Sequence, residues 1–94
     1  MPTDSVKIEL SVVIATLGLQ NLRNILLEIT SLELKYEILI VIPEQLHYRV
    51  ESYNSIPCLK ILPSTVMHQV AQRALGFRHA NGEYIVQLDD DQFL

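Results

Sequence analysis

Short, nearly continuous apolar runs alternate along this chain with longer segments whose apolar residues recur every three or four positions. The first run is Lys7 to Ala15, with Ser11-Val12-Val13-Ile14-Ala15 at its centre. A strand covered on both faces reads this way. Thr16-Leu17-Gly18 breaks it. Leu19, Leu22, Ile25, Leu26, Ile29 and Leu32 then share one helical face, with Gln20, Arg23, Asn24 and Glu28 largely opposite, so a helix is predicted over residues 19 to 32. Tyr36 to Ile42 is the second strand, and Pro43, which cannot donate to a ladder, should end it. Leu46, Val50 and Tyr53 mark a weaker helix over Glu44 to Tyr53. Cys58 to Leu62 reads as a third strand closed by Pro63.

Ser64 or Thr65 can cap the next helix, which runs to about His79. Its expected buried stripe is Val66, Val70, Ala74 and Phe77, with Met67, Ala71 and Leu75 beside them. Asn81-Gly82 is a turn signal. Glu83 to Leu88 is the fourth strand, ending in Asp89-Asp90-Asp91. Strands alternating with helices predict one α/β domain over residues 1 to 94, a three-layer α/β/α sandwich on a mostly parallel four-stranded sheet. Ligands of such sheets bind outside the carboxyl ends of the strands. Thr16 to Asn21, Pro43 to Gln45, and Asp89 to Asp91 all fall on that edge.

Composition narrows the choice. A chain that is 49% hydrophobic can build a core, and a net charge of −4 argues against a non-specific nucleic-acid binder. One cysteine, Cys58, rules out an internal disulfide or a cysteine-rich zinc site, and its apolar surroundings predict a buried thiol. His47, His68 and His79 are too scattered for a ligand set and read as surface or boundary residues. No apolar run approaches the ~20 residues of a membrane span, and the N-terminus has no signal-peptide pattern. A cytoplasmic protein is expected.

The strand tip carries the candidate chemistry. Asp89 and Asp91 share a face of an extended backbone, where their charges repel. A divalent cation relieves that repulsion, and hard oxygen ligands suit Mg²⁺ or Mn²⁺ holding a phosphate. The bland alternative is a solvated acidic tip on a non-catalytic α/β interaction module. Other nucleotide signatures are missing: the first strand is followed by Gly18 alone rather than a Gly-x-Gly-x-x-Gly turn, and no Gly-Lys-Ser/Thr follows any strand.

Taken together, these motifs resemble the nucleotide-binding half of a family 2 glycosyltransferase of the GT-A, Rossmann-like fold. Ser11-Val12-Val13-Ile14-Ala15-Thr16 is similar to that family's Ser-Val-Val-Ile-Pro-Thr opening. The segment from Gln72-Arg73-Ala74-Leu75-Gly76 to Ala80-Asn81-Gly82-Glu83-Tyr84-Ile85 resembles its Ala-Arg-Asn-x-Gly…Gly-Glu-Tyr-Ile pattern, and Asp89-Asp90-Asp91 matches its Asp-x-Asp. The resemblance spans Ser11 to Asp91. It implies a UDP- or GDP-sugar donor and a divalent metal. Asp91 would be the main metal ligand, with Asp89 assisting through water or holding the sugar or ribose. The implied donor set is Thr16, Glu44, Arg73, Asp89 and Asp90, with Thr16 under the nucleotide and Arg73 near the base or diphosphate. Glu44 is the nearest acid to where the family places its base reader. Ala15, Leu17, Gly18 and Ala74 depart from the family pattern. No catalytic residue is assigned: the carboxylate that deprotonates an acceptor lies in a second half that these residues do not include. Donor binding without transfer is therefore expected. An incompletely covered sheet further predicts self-association, as a homodimer.

Overall fold

The computed structural model describes residues 7–17, 21–65 and 69–89. Its elements are β1 (Leu10–Ala15), α1 (Asn21–Ile29), β2 (Tyr36–Pro43), two 3₁₀ segments (Glu44–Arg49 and Glu51–Ser55), β3 (Leu59–Ser64), α2 (Gln69–His79) and β4 (Tyr84–Asp89). The four strands form one sheet in the order β3-β2-β1-β4, and every neighbouring pair is parallel. The fold is the expected α/β sandwich.

Both faces of the two central strands are buried, which is why they read as unbroken apolar runs. On one face Val12, Ile14, Ile38, Ile40 and Ile42 pack against Leu22, Leu26 and Ile29 of α1 and against Val50 between the 3₁₀ segments. On the other face Val13, Leu39 and Val41 form a smaller core with Leu62, Leu75 and Ala80. The predicted apolar face of α1 is thus seated as expected at Leu22, Leu26 and Ile29. The helix stops at Ile29, and Leu32 beyond it is exposed. Leu19 and the predicted helix start lie outside the described residues, as do Val66, Met67 and His68.

Four local expectations need correction. The stretch after β2 is 3₁₀ rather than α: Val50 N–H bonds His47 C=O and Tyr53 N–H bonds Val50 C=O, both i to i+3. Leu46, Val50 and Tyr53 do anchor it to the core. Over two turns, however, such spacing does not separate a period of 3.0 from 3.6. Pro63 lies inside β3 rather than closing it. That strand is at the sheet's edge, where a missing N–H costs no ladder bond. Cys58 is exposed, not buried, and sits at φ 66° in the turn before β3.

The fourth correction concerns α2. Val70, Ala74 and Phe77 are exposed, while Gln72 and Gly76 are buried and Ala71 and Leu75 half-buried. The reason is close approach. A Cβ on Gly76 would run into Val13 Cγ1 and crowd Val41 Cγ2, so the helix rests on its glycine directly over the branched side chains of the sheet.

Candidate functional site at the carboxyl edge

Parallel register brings the candidate residues to one edge. Ala15 lies opposite Val41 of β2 and opposite Asp89 of β4. Thr16, Pro43-Glu44 and the end of β4 therefore sit at the same rim. Strand order reverses between β1 and β4: the chain moves outward from β1 to β2 to β3, then returns to the far side of β1. Crevices at such reversals are where open α/β sheets bind ligands.

Thr16 is buried at the base of this rim. Its N–H donates to Val41 C=O at 3.0 Å. Gln72, only 2% exposed, donates from Nε2 to Thr16 C=O at 3.2 Å and to Val41 C=O at 2.9 Å. One amide from α2 thereby ties together the carboxyl ends of β1 and β2. Arg49 adds a second tie: its Nη1 donates to Leu17 C=O at 2.9 Å, and its Nε donates to the Tyr48 hydroxyl at 3.3 Å. Glu44 opens the first 3₁₀ segment and is exposed. Arg73 follows Gln72 on α2 and is half-buried, with Nε out of solvent.

Of the predicted set, Thr16, Glu44 and Arg73 are described in full. Asp89 is the last residue of β4. Asp90 and Asp91 lie outside the described residues. Among the described residues no group of three or more His, Cys, Asp or Glu could hold a metal ion. His47 lies 3.4 Å from Glu51 on a 3₁₀ segment, and His79 contacts Leu75 C=O.

Sequence reasoning missed three residues. Gln72 stood inside the family-like segment without a role, and a polar residue at a buried helical position carries no periodic signal. Arg49 reaches a carbonyl 32 residues away, which spacing does not reveal. Glu37 was legible: it is an acid within the apolar run of β2, where a strand buried on both faces must satisfy it. It lies toward the amino edge, away from the candidate site. Its carboxylate accepts Ser11 Oγ–H at 2.6 Å, Asn81 N–H at 2.5 Å and Asn81 Nδ2–H at 3.4 Å. Burial alone would push its pKa up. The bonds from Ser11 and Asn81, together with the Lys60 charge, outweigh burial and hold it below the ordinary carboxylate value.

A cavity of about 860 Å³ opens at that amino edge, lined mainly by apolar groups including Ile8, Leu34, Tyr36, Pro57 and Leu59. This hollow is not at the candidate site. No described helix is long and apolar enough to cross a membrane. No known family model matches the sequence, and no curated protein is significantly similar to it.

Proposed function

We propose that this chain is the donor-binding half of a metal-dependent family 2 glycosyltransferase, taking a nucleotide-diphospho-sugar at the carboxyl edge of the sheet. The observation that carries this reading is the register of Ala15 with Asp89 at the reversal of strand order, beside buried Thr16. An acidic strand tip there meets the crevice where nucleotides bind in such sheets.

Asp91 and Asp89 would hold Mg²⁺ or Mn²⁺, which would neutralise the diphosphate as it leaves. Thr16 would sit under the nucleotide, Asp89 would assist through water or hold the sugar or ribose, and Arg73 would approach the base or the diphosphate, with Glu44 and Asp90 completing the donor set. Binding, rather than transfer, is the activity assigned to these residues. A cytoplasmic location belongs to the same reading, as does pairing with a second copy of the chain.

The test is calorimetric titration with UDP and with GDP, each with and without Mn²⁺. Metal-dependent binding of one nucleotide is expected, abolished by Asp91→Asn. Failure of both nucleotides to bind in Mn²⁺ would favour the second reading, a non-catalytic α/β interaction module, for which the exposed apolar residues of β4 speak.

A further inference from the structure

The hollow at the amino edge has no part in donor binding. It is bounded by the turn between α1 and β2, the starts of β2 and β3, and the turn before β4. Its volume of about 860 Å³ falls within the roughly 300–1,000 Å³ of small-molecule pockets. The sheet fixes one wall: Ile38 N–H donates to Cys58 C=O at 2.8 Å, and Leu59 pairs with Ile38. Ile8, Leu34, Pro57 and Leu59 give it an apolar lining, which favours the apolar body of a ligand over water.

The charged side chains on the wall decide which head group fits. Glu37 already accepts Ser11 Oγ–H, Asn81 N–H and Asn81 Nδ2–H, so it has little capacity left for a cationic ligand. Lys35 and Lys60 line the same hollow, and neither makes an ion pair with a described residue. The Lys60 charge acts on Glu37 across this wall. Lys35 also borders a smaller hollow with Glu9, Glu33 and Glu83, which leaves Lys60 as the principal cation. Two ammonium groups against one carboxylate leave the wall net positive, on a chain whose net charge is −4. Ammonium groups only donate, and their best partners are carboxylates, which only accept.

We propose that this hollow binds a small amphipathic carboxylate of the medium-chain fatty-acid class. Its chain lies against Leu34, Pro57 and Leu59, and its head group sits on Lys60 with Lys35 assisting. The apolar lining selects against small inorganic anions, which have no body to bury. The lysines select against neutral and cationic amphiphiles of the same length. Thr16 and Asp89 stand at the opposite edge of the sheet, so the proposal neither uses nor needs the donor site.

Calorimetry and thiol chemistry on the full chain test this. Decanoate, titrated below its micelle-forming concentration, should bind, and octanoate, two methylenes shorter, should bind about tenfold more weakly. Lys60→Gln should weaken decanoate about tenfold, the loss of one charge-assisted hydrogen bond, and leave decanol unchanged. Lys60→Arg, which keeps the charge, should retain decanoate binding. Arg23→Gln, the same loss of charge at an exposed position of α1 away from the hollow, should change neither. Cys58 is the chain's single cysteine, is exposed and lines the hollow, so saturating decanoate should slow its alkylation by iodoacetamide severalfold. Absence of decanoate binding overturns the proposal. Equal binding of decanol and decanoate, or decanoate binding that Lys60→Gln leaves intact, overturns the carboxylate anchor. Binding that leaves the Cys58 alkylation rate unchanged overturns the location. Titration with UDP or GDP in Mn²⁺ reports on the donor site separately, and its failure alters none of these outcomes.

Discussion

Glu37 shows what a single residue contributes here. Glu37 is 3% exposed, and Ser11 relays its anchoring: Ser11 Oγ–H donates to Glu37, and Gly82 N–H donates to Ser11 Oγ at 2.7 Å. Three segments distant in sequence are tied by one charge. Because its folded pKa lies below the ordinary 4.5, the folded chain holds this proton less tightly than the unfolded chain. The stabilisation is therefore complete above pH ~4.5 and is lost as pH falls through the folded value. Glu37→Gln should cost about 1–3 kcal/mol at pH 7. The gap between wild type and variant should narrow at pH 3, as read from urea unfolding at each pH. Gly82 is constrained more rigidly. A Cβ there would come 2.6 Å from Ser11 N and 2.8 Å from Leu10 C, which are backbone atoms that cannot swing aside. Gly82→Ala should lower stability by about 1–3 kcal/mol, as overpacked sites do, visible as a lower urea midpoint with an unchanged slope.

The elements differ in how faithfully amphipathic pattern reports burial. In α1 the pattern and the buried face agree, because the helix covers an apolar sheet face with its own apolar stripe. Leu26→Ala should cost about 2–5 kcal/mol through the cavity it leaves. In α2 they disagree, because contact is made through Gly76 and a satisfied glutamine. Val70 is exposed in α2. Val70→Gln should therefore change stability by no more than about 0.5 kcal/mol, measured in the same denaturant series. Equal losses at Leu26 and Val70 would refute this seating of α2.

Across the whole molecule, the two ends of the sheet have different characters. The amino edge carries the Glu37 network and the apolar cavity; the carboxyl edge carries Thr16, Arg49, Gln72 and the end of β4. Gln72 spans the layers by bonding both β1 and β2 from α2. Replacing it with Leu leaves those buried carbonyls without its amide, so Gln72→Leu should cost about 1–3 kcal/mol. On the donor reading the variant should also weaken Mn²⁺-dependent nucleotide binding in calorimetry, whereas Val70→Gln should not. Loss of stability with unchanged nucleotide affinity would confine Gln72 to a structural part.

The alternation of elements, the parallel sheet and the two-faced burial of β1 and β2 were legible in the residue pattern. Both periodicity and continuous apolar runs are local consequences of which faces must leave water. The carboxyl edge was legible for the same reason, since each loop after a strand must emerge there. What only the tertiary structure decided depends on contacts between distant residues. The seating of α2 on Gly76 follows from the shapes of Val13 and Val41, and the exposure of Tyr84, Ile85 and Val86 follows from strand order. The bond partners of Glu37 and Gln72 lie 26 to 56 residues away. No local pattern encodes these pairings, because each exists only once the sheet has brought its strands into register.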